Sequence, residues 1–328
     1  MKSARSGHTA TLLPNGLVLI AGGMERNGSI YGTAELYDPA RGRFRATAGA
    51  MTTPRVGHSA ALLQDGRVLL AGGWDDQGTL GTAELYDPAT DRFAPTGSMS
   101  ARRGDFTATV LPIGTVLVAG GEDDRALVTA ELYDPISGKF SPTGSMHAGR
   151  TMRTATPLPG GLVLIVGGGD YGHPLATAEL YTAGSGTFAE TGQMGEVRYK
   201  HAAIGLSDST VLVLGGSDAR DWKGLEASTE LYDLRRGRFS MAKAMGAARF
   251  KFLEALTLLT DGTVLIAGGA QQPEVYDPLK HLFLPTRGKL DAARYYSTAT
   301  RLSDGRVLIA GGYDRTAVAT SRAWVYRP

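Results

Sequence analysis

The sequence predicts an all-β fold, a seven-bladed β-propeller, and three repeating signatures predict it. A Gly-Gly pair closes an apolar run at Gly22-Gly23, Gly72-Gly73, Gly120-Gly121, Gly167-Gly168, Gly215-Gly216, Gly268-Gly269 and Gly311-Gly312. A segment of the type Glu35-Leu36-Tyr37-Asp38 returns at Glu84, Glu131, Glu179, Glu230 and Glu274, and more loosely at Ala323-Trp324-Val325-Tyr326. An arginine stands four residues after a Met or Leu at Arg5, Arg55, Arg103, Arg150, Arg198, Arg249 and Arg294. Seven copies with a period of about 47 residues predict one β-propeller domain over residues 1–328.

Each copy reads as four short strands. Strand a follows the arginine, as in His58–Leu63. A tight turn follows at Asn15-Gly16, Asp65-Gly66, Gly160-Gly161, Asp261-Gly262 and Asp304-Gly305, pairs that suit the positive φ of a two-residue hairpin. Strand b is the apolar run, for example Val68–Ala71, that ends in Gly-Gly. Strand c is the Ala-Glu-Leu-Tyr-Asp segment, commonly stopped by proline (Pro39, Pro88, Pro135, Pro278). Strand d starts at Phe44, Phe93, Phe140, Phe188, Phe239 or Phe283. Helical periodicity is absent throughout. Copy seven ends at strand c, and Met1 aligns with the Met that ends strand d elsewhere, so the last blade is expected to lack its outer strand. A start trimmed at a repeat boundary would produce the same pattern.

The diglycines, the repeated tyrosine and the repeat length resemble the kelch family over essentially the whole chain. The resemblance implies a ring of small sheets, each burying its faces against its neighbours. Galactose-oxidase-like enzymes use a seven-bladed kelch propeller but need a Tyr–Cys radical cofactor, and this chain has no cysteine. Sialate mutarotases are similar in using a kelch propeller for acid–base work on an anionic sugar, although no specific motif of theirs is matched. Other kelch domains are binding modules in larger chains with BTB-like or F-box-like extensions; the repeats fill this sequence, which reads less like such an adaptor.

Composition narrows the function classes. Lys+Arg exceeds Asp+Glu by 34 to 32, so no global basic field recruits nucleic acid or anionic lipid. Apolar runs such as Leu162–Val166 are strand-sized and exclude a membrane-spanning helix. Without cysteine there is no thiolate nucleophile, iron–sulfur cluster or Cys-based zinc site. No phosphate-cradling glycine motif or Gly-x-Ser-x-Gly elbow occurs. Asn27-Gly28-Ser29 fits a glycosylation sequon but reads as a turn. No signal peptide is evident, which reads as cytoplasmic; a trimmed start would admit export.

In a propeller the d–a and b–c loops open on one face, around the channel mouth. The arginines are expected to pair there with an acid just beyond the diglycine, such as Glu25, Asp75, Asp123, Asp170, Asp218 or Asp314. Copy six has Ala270-Gln271 at that place and would leave Arg249 without its partner. Three residues after each arginine stand His8, His58, Phe106, Arg153, His201, Phe252 and Ser297. The histidines read as backbone-bonded fold residues rather than a metal site, and no metal is expected. Five residues after the arginine six copies have alanine (Ala10, Ala60, Ala108, Ala155, Ala203, Ala299), whereas copy six has Glu254. A carboxylate at a crowded position either pairs, here with Arg249, or has a raised pKa and works.

Unusual polar and aromatic residues cluster on one arc of the mouth: Asp105-Phe106, Met152-Arg153, Tyr199-Lys200-His201, Phe250-Lys251-Phe252 and Tyr295-Tyr296. The b–c loops add Trp74, Tyr171, His173, Trp222, Lys223 and Tyr313. Two functions follow. In the first, an enzyme of the lyase, isomerase or cyclase type works without a cofactor on a small polar or anionic substrate. Glu254 would move the proton with His201 as its complement, and Arg153 with Lys251 would hold negative charge. Lys200, Asp105, Phe106, Phe252, Tyr199, Tyr295, Tyr296 and Trp74 would complete the substrate site. In the second, the same face binds a protein or glycan without catalysis.

Overall fold

The computed structural model describes every residue except Asn27, Tyr171, Ser207 and Asp208, so the sequon asparagine and one mouth tyrosine lie outside the described residues. Among the described residues the strands form six four-stranded antiparallel sheets and one three-stranded sheet, arranged as seven blades. Blade two is representative: strand a is Ser59–Leu62, strand b Val68–Ala71, strand c Ala83–Asp87 and strand d Arg92–Pro95. Its register sets Ala60 opposite Leu70, Leu70 opposite Glu84, and Tyr86 opposite Phe93. The three-stranded sheet is blade seven, built from Thr298–Arg301, Val307–Ala310 and Ala323–Tyr326. The expected shortage of an outer strand is therefore observed. No helix is long and apolar enough to cross a membrane.

Strand b is buried on both faces in every blade, which explains its unbroken apolar wording. Its side chains fill clusters shared between neighbouring blades; one joins Leu69 and Ala71 of blade two to Val116 and Val118 of blade three. The repeated Tyr of strand c packs on the Phe of strand d with ring centroids 4.8–4.9 Å apart in six blades. Both diglycine residues take positive φ at most copies, and the neighbouring blade's backbone passes close by. A Cβ on Gly72 would stand 2.4 Å from the carbonyl oxygen of Arg103.

The arginine ring differs from expectation. Each arginine of blades one to six is buried and pairs with the glutamate of its own strand c: Arg55 with Glu84 at 3.1 Å, Arg103 with Glu131 at 2.9 Å, Arg150 with Glu179 at 3.0 Å. Its Nη1 also donates to the carbonyl of the first diglycine residue, as from Arg55 to Gly72 at 2.9 Å. The acids beyond the diglycines are not the partners. Asp75 and Asp314 instead accept from nearby loop amides, as at Gln77 and Thr316. In blade seven Trp324 replaces the strand c glutamate, and Arg294 turns to Asp291 at 2.8 Å.

Arg249 consequently has its usual partner, Glu274, at 2.7 Å. The reading of Glu254 as a substitute partner is overturned. The alanine comparison is corrected as well. Arginine and first diglycine residue are 17 positions apart in the other copies and 19 apart in copy six. Pairing of Leu256 with Ile266 makes Leu256 the counterpart of the alanines, because Ala10 pairs with Ile20 in blade one. Leu253 and Glu254 are thus two extra residues between Phe252 and Ala255. They form a turn closed by the Ala255 amide donating to the Phe252 carbonyl at 2.9 Å.

Candidate active site

The residue two after each arginine builds the channel mouth. All seven have positive φ: Gly7 and Gly57 at 61°, Asp105 at 44°, Met152 at 52°, Lys200 at 57°, Lys251 at 53° and Tyr296 at 50°. Their backbones link round the channel. The amides of Gly57, Asp105, Lys200, Lys251, Tyr296 and Gly7 donate to the carbonyls of Gly7, Gly57, Met152, Lys200, Lys251 and Tyr296 at 2.7–3.3 Å. Between blades three and four the Arg153 Nη1 donates to the Asp105 carbonyl at 2.8 Å. Five side chains are held at this ring in a conformation that favours glycine, and such strain concentrates at functional sites.

Beneath the ring lies a cavity of about 240 Å³ lined by residues from all seven blades. Ala60, Ala108, Ala155 and Ala203 form its narrow wall, so the repeated alanine does face the channel. Glu254, Asp105, Arg153, Phe106 and Tyr296 also line it. The insertion carries Glu254 inward where the other blades run a regular strand. Among the described residues no ion pair engages its carboxylate. The channel leaves Glu254 accessible to water, yet protein surrounds it, and burial raises its pKa to about 7. Asp105 is also raised to about 7, by burial and then by the nearby charge of Glu122, with Arg153 and Lys200 opposing and Glu254 adding to the rise.

Arg153 is 1% exposed and holds no carboxylate; its Nη2 reaches the Thr107 hydroxyl at 3.3 Å and its Nε has no partner. Burial lowers its pKa to about 9, leaving it cationic near neutral pH. It stands where three other copies have histidine, whose contacts are the same in each. His8, His58 and His201 each bond a threonine of the preceding blade (Thr298, Thr9 and Thr154) at 3.0–3.2 Å. His201 is fully buried beside Arg198, its pKa falls to about 3 by burial, and it does not line the cavity with Glu254. The structure therefore separates the two residues expected to act as an acid–base pair. The carboxyl that shares the cavity with Glu254 is Asp105, and its position two after the arginine was the signal in the sequence.

The remaining expected residues do not share the cavity lining, and two lysines among them lie against aromatic rings. Lys200 pairs with Asp221 at 2.8 Å and lies over the Tyr199 ring at 4.4 Å. Lys251 stands over Trp222 at 4.8 Å and Phe250 at 5.1 Å and donates to the Tyr313 hydroxyl at 3.1 Å. Tyr295 is buried among Trp222, Phe250 and Tyr313, and Phe252 is core, so neither touches the cavity. Trp74 covers Gly57 and Gly104, where a Cβ would come within 2.3 Å of its ring, and it too lies off the cavity. His173 borders a side pocket of about 180 Å³ with Glu122, Met152, Asp170, Tyr199 and Lys200. No group of three or more His, Asp or Glu poised for a metal occurs among the described residues.

The kelch motif family model matches residues 54–100, the second repeat. No curated protein matches. Among solved structures, a fungal alcohol oxidase of the AA5 family, in complex with copper, superposes with a TM-score of 0.80 at 18% identity, covering 99% of this chain and 74% of that one. At that identity the likeness is one of fold. Residues 54–100 thus carry a kelch motif, and the seven sheets make the chain a seven-bladed β-propeller.

Proposed function

We propose that the chain is an acid–base enzyme of the lyase, isomerase or cyclase type, acting on a small anionic or polar molecule in the channel cavity. The observation that carries this reading is the two-residue insertion, found in one blade of seven, that presents Glu254 to a cavity shared with Asp105 and Arg153. Two carboxyl groups raised to about 7 within one site share protons near neutral pH. One can take a proton from substrate while the other returns one. Arg153, without a carboxylate partner, offers its charge to an anionic group on the substrate or on the negative charge that forms during proton removal. The alanine wall keeps the cavity open for a molecule of a few heavy atoms.

The test needs no knowledge of the natural substrate. Small hydroxy and oxo acids are incubated with the protein in deuterium oxide, and loss of carbon-bound protons is followed by NMR. Exchange by the parent that disappears in Glu254→Gln supports the reading. Exchange that is absent across the panel, or equal in the variant, removes it. A non-catalytic propeller that binds a protein or glycan is favoured by Trp222, 43% exposed at the rim. Retained binding of such a partner by Glu254→Gln, with no exchange in the parent, would support that second reading.

A further inference from the structure

Lys251 and Lys200 occupy equivalent ring positions in adjacent blades, both with positive φ, and their surroundings differ. Lys200 is held by the Asp221 carboxylate at 2.8 Å. The Lys251 Nζ instead sits among four rings, over Trp222 at 4.8 Å, Phe250 at 5.1 Å, Tyr313 at 5.8 Å and Tyr296 at 5.9 Å. Its hydrogen bond runs to a neutral phenol, Tyr313, at 3.1 Å. Among the described residues it makes no ion pair with a carboxylate. Tyr296 belongs to both this cage and the lining of the channel cavity, so the cage adjoins the cavity, although Lys251 itself does not line it.

We infer that the Lys251 amine is a covalent attachment site for small aldehydes or ketones entering the channel mouth. The neutral amine adds its lone pair to the carbonyl carbon while the C=O π pair moves to oxygen. A proton passes from nitrogen to that oxygen, with the Tyr313 hydroxyl within reach of Nζ to relay it, and the carbinolamine loses water to leave an imine. The step is redox-neutral and releases one water. Burial among the rings disfavours the ammonium by excluding water, and this outweighs the attraction of the ring faces for the cation, leaving more of the nucleophilic form. Burial followed by the charge of Lys200 lowers the Lys251 pKa to about 8, against smaller opposing effects of Asp221 and Asp105. At pH 8 such an amine is neutral on the order of a hundredfold more often than an ordinary lysine.

The test is reductive trapping on the intact chain. Glyoxylate and cyanoborohydride are added between pH 6 and 10, and carboxymethylated lysines are mapped by mass spectrometry. Lys251 is expected to be labelled on the order of a hundredfold faster than the exposed Lys280 at pH 8, with a rate that levels off above pH 8. Labelling of Lys280 should still be rising at pH 10. Lys251→Arg should lose the fast label, whereas Lys200→Arg should keep it, both variants having parent-like melting curves. Labelling of Lys251 no faster than Lys280, or a fast label on Lys200 instead, overturns the inference. The channel acid–base reading is tested separately, because trapping does not depend on Glu254.

Discussion

Arg249 is paired with Glu274, at 2.7 Å and fully buried, while Glu254 five residues along makes no such pair and faces the channel. The two glutamates of blade six therefore divide the work. Glu274 belongs to the ring of arginine pairs that ties strand c to the diglycine turn in six blades. Glu254 belongs to the cavity.

That division predicts unequal effects on stability. Glu274→Gln leaves the buried Arg249 charge uncompensated and should cost about 3–5 kcal/mol in urea denaturation. Glu254→Gln should cost nothing and should alter the pH dependence. A carboxyl raised from 4.5 to about 7 favours its protonated form in the folded state. Its contribution is thus full below about pH 4.5 and is lost as pH rises through about 7. The parent should lose about 1 kcal/mol across that window on this account, a modest figure because channel water screens the charge. The glutamine variant should lose less, retaining only the part due to Asp105. An unchanged slope between pH 5 and pH 8 would show that Glu254 is not raised.

Excision of Leu253 and Glu254 together restores the 17-residue spacing of the other copies. The shortened blade should fold with a melting temperature within a few degrees of the parent, because the regular strand a is what six copies already use. Proton exchange should be lost. A chain that fails to fold would show that the turn also supports blade seven, through the Ala299 amide that donates to the Glu254 carbonyl at 2.8 Å.

The mouth ring offers a third contrast. Asp105→Gly removes a left-handed non-glycine residue and a carboxyl with raised pKa, and should stabilise the fold by about 1 kcal/mol while reducing exchange. Gly57→Ala at φ 61° places a Cβ 2.3 Å from the Trp74 ring and should destabilise by at least about 2 kcal/mol. Thermal denaturation of the two variants reads both signs. A destabilised Asp105→Gly would mean that the Asp105 side chain contributes to the ring as well as to the cavity.

The blades were legible because each is a local pattern. A strand's apolar alternation, the hairpin turn after it and the diglycine at its end all lie within a few tens of residues, and seven similar units can bury their faces only against one another. The unmatched last sheet followed from the same count. The sequence also pointed to the mouth, since Asp105, Lys200, Lys251 and Tyr296 stand where two copies have glycine. Partnership was a tertiary matter. Arg55 has Asp75 and Glu84 both ahead of it in the chain, and only the turn of strand c back along strand b brings Glu84 to 3.1 Å. Register was tertiary too. Counting from the arginine set Glu254 on the alanine position, although the longer distance to Gly268 already carried the insertion. Pairing of Leu256 with Ile266 decided which residues were extra. Sequence similarity made His201 look like a channel residue, and packing against Thr154 of the preceding blade buried it. Repeated residues were readable from the chain because seven copies restate them. The direction of a side chain that occurs once depends on which neighbours enclose it, and those come from blades distant in sequence.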